Sequence, residues 1–127
     1  MRRILISLFS LSLIAVSGVM VSRAQAQPAK AVYVITHVDF APQPGGLGEA
    51  LNMLKQYASD SLKDPGAMRF EVLQQDNRPN HLTLVEVWRS RADFEAHTAA
   101  EHTKQFREKS HSMMGSPFDE RIHSMLQ

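Results

Sequence analysis

Apolar and polar positions change period several times along this chain, and each change predicts an element. Residues 31–40, AVYVITHVDF, are β-branched and aromatic and stop at APQPGG, which predicts a strand. From 47 to 64 the apolar positions Leu47, Ala50, Leu51, Leu54, Tyr57, Ala58 and Leu62 recur on one helical stripe. DPGA at 64–67 ends that helix, because Pro cannot continue it and Gly tolerates the turn. Residues 68–75 alternate, Met68, Phe70 and Val72 against Arg69 and Glu71, and predict a second strand. DNRPN (76–80) is a turn and HLTLVEVW (81–88) a third strand. Ser90 and Asp93 make an S-x-x-D capping box that opens a helix near Arg91. The helical pattern runs to Met114, with a break expected near Ala99–Ala100. GSPF (115–118) ends it, and DERIHSML (119–126) reads as a last strand. The order β-α-β-β-α-β is the ferredoxin-like plan, an α+β fold. No repeat or low-complexity tract interrupts it.

The first and third strands are apolar on both parities. Val32, Val34 and Val38 face one way and Tyr33 and Ile35 the other; Leu82, Leu84 and Trp88 oppose Val85 and Val87. Two helices cover one face of such a sheet, and the other would leave a large apolar patch in water, which soluble monomers rarely tolerate. A second copy packed sheet to sheet removes the patch, so the pattern predicts a homodimer.

The first residues follow a different logic. Arg2 and Arg3 precede the apolar run 4–21, and AQA (24–26) has the A-x-A form of a cleavage site. Residues 1–26 therefore read as a secretory signal peptide, with an uncleaved membrane anchor as the alternative. Processing would leave 27–127 as one small domain in the periplasm or outside the cell, without stable membrane association. The chain has no Cys, so neither a disulfide nor a lipid-modified cysteine is available. The whole chain carries a formal charge of +1, with 14 basic and 13 acidic residues. Losing Arg2, Arg3 and Arg23 makes the processed chain mildly acidic. No basic patch interleaved with aromatics is present, which argues against nucleic acid as a partner.

The chemistry-bearing residues concentrate in LVEVWRSRADFEAHTAAEH (84–102). Glu86 shares a strand parity with Leu82, Leu84 and Trp88, so it must be ion-paired or hold its proton unusually high. It reads either as an acid/base group or as half of a structural ion pair with an Arg. His97 shares a helix face with Phe94. Beyond the expected break, His102 and Phe106 share another. Both histidines read either as pocket groups or as core histidines bonded to a carbonyl. On one unbroken helix they would diverge by about 140° and could not chelate together. A spatial metal site from His37, His97, His102 and Glu86 is the weaker alternative. Trp88 is a core or pocket-wall ring. His37 interrupts the first strand and reads as a pocket or edge histidine. There is no Cys nucleophile, G-x-S-x-G, P-loop or dinucleotide-binding glycine pattern.

PGAMRFEVLQQ followed by PNHLTLVEVWRSRADFEAHTAAEHTKQF (65–106) resembles the antibiotic biosynthesis monooxygenase (ABM) domain family. The shared features are the PG turn, the E-x-W ending the third strand, and a helix with A-H and a second His five residues on. The resemblance implies a dimeric α+β barrel over about 30–125, with pockets between the sheet and helices of each subunit. It implies a monooxygenase working on a small quinol or polyphenol with O2 and no metal, flavin or other cofactor. On that reading His97 or His37 is the base, with Glu86 as a third catalytic group. Trp88, Phe94, His102 and Phe106 would bind substrate, and Arg69 or Arg107 would steady an anion. The role of His37 is implied only by the family's use of this part of the strand for a pocket polar group. By the same resemblance, His97 and Arg107 stand where the haem-degrading members carry a helical Trp and an iron-ligand His, which argues against haem. The alternatives are a non-catalytic ligand-binding or stress-response dimer, or an isomerase of a small carbonyl compound.

Overall fold

The computed structural model describes residues 30–126, so the proposed signal segment 1–26 lies outside the described residues. Strand β1 (Val32–Asp39), helix α1 (Gly48–Ser61), the hairpin β2 (Ala67–Gln75) and β3 (Arg78–Trp88), helices α2 (Arg91–Ala99) and α3 (Glu101–Ser110), and strand β4 (Asp119–His123) follow in that order. A 3₁₀ turn, His111–Met113, extends α3. The four strands form one sheet in the order β2-β3-β1-β4, every neighbouring pair antiparallel. This is the ferredoxin-like α+β arrangement that the pattern predicts.

Strand parity divides the sheet cleanly. Val34, Val38, Phe70, Leu82, Leu84 and Trp88 are buried beneath the helices with Leu54, Phe94 and Phe106. On the other face Tyr33 pairs with Val87, Ile35 with Val85 and His37 with Thr83. Among the described residues no helix covers that face, and Tyr33, Ile35 and Val85 stay half-buried among their neighbours. Leu73, opposite Thr83, is 51% exposed.

The elements depart from the predicted ones chiefly at their ends. The turn of the hairpin is shorter than 76–80: Arg78–Asn80 already belong to β3. Gln75 pairs with Arg78 but Gln74 with Leu82, a bulge that takes Pro79 out of the ladder, where its missing N–H costs nothing. Helix α1 ends at Ser61, three residues before Asp64, and Asp64 N–H donates to the Ser61 carbonyl in the following turn. The last strand stops at His123.

The predicted break in the second helical segment is real and sharp. Ala100 has φ −65° and ψ 149°, extended backbone that ends α2 and opens α3. Its N–H donates to the His97 carbonyl and its own carbonyl accepts from Lys104 N–H. Ser90 caps α2 as the sequence suggests, its Oγ accepting from Asp93 N–H at 3.1 Å.

Candidate functional site

The helix-side face of β3 carries the acid. Glu86 is 3% exposed and lies among Leu84, Trp88 and Phe70. The predicted alternative, a buried ion pair with an Arg, is not what holds it. Trp88, fully buried, donates its indole Nε1–H to Glu86 Oε2 at 2.9 Å. Burial pushes the Glu86 carboxyl up to about 7, with the Trp88 hydrogen bond acting in the opposite direction.

His97 stacks on Trp88, with ring centroids 4.4 Å apart, and its Nε2 lies 4.0 Å from Glu86 Oε2. Both of its nitrogens are engaged. Nδ1 is 2.7 Å from Asp64 Oδ2 and Nε2 is 2.9 Å from the Tyr57 hydroxyl. An ionised carboxylate only accepts, so Nδ1–H donates to Asp64 and Nε2 accepts from Tyr57 O–H. The result is a Tyr57–His97–Asp64 chain with the order of a donor, relay and orienting carboxylate. Burial holds the imidazole below the usual histidine range, an effect that Asp64 opposes. Burial also raises the Tyr57 phenol, and the Glu86 charge adds to that.

The Ala100 break brings the second histidine to the same carboxylate. His102 Nε2 lies 3.1 Å from Asp64 Oδ2, and the two imidazole rings are 5.6 Å apart. The contact is close but misaligned: His102 Nε2 is buried and makes no hydrogen bond among the described residues. Asp64 comes from the turn after α1, where Gly66 has φ +84°. A Cβ at Gly66 would sit 2.2 Å from Asp93 Cγ, so the PG turn that delivers Asp64 needs glycine for both reasons.

A cleft of about 150 Å³ opens between α1 and α3, lined by Met53, Gln56, Tyr57, Asp60, His102, Gln105, Phe106 and Lys109. Tyr57 and Phe106 stack face to face across its floor, centroids 4.0 Å apart. Two wider, more open depressions lie at the 111–118 segment and beside Pro42, and neither is lined by His97, His102 or Glu86.

Of the residues singled out in the sequence, Glu86, Trp88, Phe94, His97, His102 and Phe106 come together on the helix side. His102 and Phe106 face the cleft. Trp88 and Phe94 lie behind it, packed around His97. His37 does not join them. It lies on the opposite sheet face, its Nδ1 3.2 Å from Thr83 Oγ1 and its ring stacked on His81. The polar residue of β1 on the helix side is its neighbour Thr36, whose buried hydroxyl has no hydrogen-bond partner among the described residues. A one-residue change of register moves a side chain to the other face of a sheet, and that is what separates the two. Arg69 is likewise on the open face, paired with Glu71, whereas Arg107 pairs with Glu120 and lies over Phe118 on the helix side.

Tyr57 and Asp64 are the members of the site not anticipated from sequence. Tyr57 looked like one more apolar stripe position, and Asp64 like the first residue of a helix stop. The available signal was a lone phenol among Leu and Ala, and a carboxylate beside a turn whose glycine is required.

The family model described as "Antibiotic biosynthesis monooxygenase" matches residues 33–109. An uncharacterized Synechocystis protein, sll1783, is 22% identical over 85 residues, 67% of this chain. The match covers 58% of that protein's length. Among solved structures, a Nitrosomonas europaea protein classed with the antibiotic biosynthesis monooxygenases superposes with a TM-score of 0.70 at 22% identity, over 80% of this chain and 95% of that one. Pseudomonas aeruginosa PA3566 gives 0.70 at 20% identity, over 80% and 100%. SnoaB from Streptomyces nogalater, described as a cofactor-independent oxygenase, gives 0.67 at 15% identity, over 78% and 96%.

Proposed function

The chain belongs to the antibiotic biosynthesis monooxygenase family, and on that footing we propose that it oxidises a small quinol or phenol with O2 in the cleft between α1 and α3. The observation that carries this reading is the buried hydrogen-bonded set Tyr57–His97–Asp64, flanked by Glu86 and Trp88, with His102 leading from it to the cleft wall. An electron-rich phenolate supplies its own reducing power, so the protein has to provide a dry ring-shaped space and proton-transfer groups. The open cleft of about 150 Å³, floored by the Tyr57 and Phe106 rings, has room for one benzene-sized ring.

In this mechanism His102, held beside Asp64, takes the phenolic proton. The anion gives one electron to O2, and the radical pair combines at a ring carbon bearing hydrogen. The resulting peroxide takes up the proton that His102 removed, with Tyr57 on the cleft floor orienting it. Loss of the hydrogen on the ring carbon and cleavage of the O–O bond release water and leave a carbonyl. One O2 is consumed for each phenol converted to quinone and water. Arg69 lies on the open face and Arg107 is paired with Glu120, so Lys109, the cation that lines the cleft, is the one placed to steady the anion. His97, with both nitrogens committed, fixes the Tyr57 hydroxyl and does not meet substrate. The reading includes a homodimer formed through the open sheet face and export with residues 1–26 removed. Mass analysis of the secreted chain tests the export.

Oxygen uptake by the purified protein across a panel of single-ring quinols and phenols, with a strong chelator present, tests the activity. Protein-dependent uptake above autoxidation is expected, with labelled oxygen entering the product. His102→Ala and Tyr57→Phe are each expected to lower turnover at least tenfold with the fold intact. No uptake across the panel sinks the oxygenase reading; turnover without O2 points to isomerisation and ligand binding alone to a carrier.

A further inference from the structure

The Asp64 carboxylate is approached by two imidazole nitrogens from two different helices. His97 reaches it from α2 and His102 from α3, and one atom of each of the three residues lies within 4.8 Å of the others. We propose that Asp64, His97 and His102 form a three-ligand site for a borderline divalent transition metal, the class to which Zn²⁺ belongs. Two imidazoles and one carboxylate are the donor types such ions take, and three protein ligands leave coordination positions for water.

Geometry and burial carry the assignment. The two nitrogen-to-oxygen separations are 2.7 and 3.1 Å. Ligands at about 2.0–2.2 Å from a tetrahedral ion lie about 3.4 Å apart, so Asp64 has to withdraw by a few tenths of an ångström. It can do so, because it stands in a turn with its side chain 18% exposed. His102 Nε2 is the second, independent observation: a buried nitrogen beside a carboxylate that makes no hydrogen bond. A hydrogen-bonded cluster formed for stability alone would align that nitrogen. A metal between the two groups uses it without the alignment that N–H requires. The surroundings also orient the second ligand. Tyr57 holds His97 Nε2 at 2.9 Å, and a metal-bound histidine commonly has its other nitrogen fixed in this way. Only one of the three donors is an oxygen, which disfavours Mg²⁺ and Ca²⁺.

The cluster is also specific to this place in the fold. The other histidine pair, His37 and His81, stacks on the open face with its rings 5.4 Å apart, and His81 alone contacts Asp39. That pair provides an internal control. Because His97 Nδ1–H donates to Asp64 in the metal-free protein and Nδ1 must lose that proton to bind a metal, binding should also release a proton into weak buffer.

The test is equilibrium dialysis of the purified full chain, stripped with chelator, against Zn²⁺ in excess Mg²⁺. One Zn²⁺ per chain is expected, with His81→Ala binding as tightly as the parent. His102→Ala and the near-isosteric Asp64→Asn should each bind at least tenfold more weakly, with circular dichroism confirming the fold. Should His102→Ala not fold, Asp64→Asn carries the comparison. The proposal is overturned if no stoichiometric Zn²⁺ binds, if binding survives in the folded cluster variants, or if His81→Ala loses it equally. The oxygen-uptake assay contains chelator and so reads the metal-free protein, in which His102 is free to act as the base; failure there and failure here are read separately.

Discussion

Glu86 and His97 lie 4.0 Å apart and bias the pH dependence of stability in opposite directions. Folded Glu86 keeps its proton up to about 7, whereas the ordinary value is 4.5. Between those values the native state binds more protons than the unfolded chain, so this residue makes stability fall as pH rises through the interval. The full effect is on the order of 3 kcal/mol. His97 is depressed below the ordinary 6.5, so its contribution is complete above that value and is lost as pH falls. Glu86→Gln keeps the acceptor for Trp88 and cannot ionise. Its melting temperature should rise relative to the parent between pH 5 and pH 8, leaving the acid-side loss from His97 exposed. Parallel melting curves for the two proteins across that range would exclude Glu86 as a strained buried acid. The out-of-place character of Glu86 was legible from its parity with Leu82, Leu84 and Trp88. Its partner was not. An indole two residues along the same strand supplies the hydrogen bond, and alternation alone does not reveal how two side chains on one face turn toward each other.

At the scale of elements, the site depends on two interruptions of regular structure. The Ala100 break rotates α3 so that His102 reaches the carboxylate already bound by His97; a continuous helix would point the two apart by about 140°. The sequence pattern located this break to within a residue. The second interruption is the PG turn, legible as a stop but not as the device that delivers Asp64, because its partner is sequence-distant Asp93. Gly66→Ala meets two obstacles there. Its φ of +84° is unfavourable for any side chain, and the new Cβ collides with the Asp93 side chain that hydrogen-bonds Ser90 and Arg89. Left-handed backbone and a disturbed helix cap together should cost about 2–3 kcal/mol. Chemical denaturation is the measurement. Because the turn carries Asp64, the variant should also lose turnover beyond what its unfolded fraction explains. An unchanged midpoint would mean that the turn relaxes freely and does not position the site.

For the whole molecule, the proposed dimer rests on the open sheet face. One face is sealed by three helices and the other presents Tyr33, Ile35, Leu73 and Val85 across three adjacent strands. The neighbouring charges are already paired within the face, Arg69 with Glu71 and Arg121 with Asp119, so they can pack against an apolar partner without unmatched charge. His37 lies in this face beside Thr83, so its surroundings would change on dimer formation and not on substrate entering the helix-side cleft. A second copy, placed face to face, satisfies all of these residues at once and uses the same patch twice, as a two-fold dimer requires. Val85→Asp puts a carboxylate at the middle of the patch, opposite Ile35 and Glu71. Sedimentation equilibrium should return twice the chain mass for the parent and one chain mass for the variant at micromolar concentration. Because Val85 points away from the helices, oxygen uptake per chain should persist in a folded monomer if each cleft is complete in one subunit. A monomeric parent would remove the dimer from the proposal and leave the apolar face to another partner. A folded monomeric variant without turnover would mean that the second copy completes the cleft.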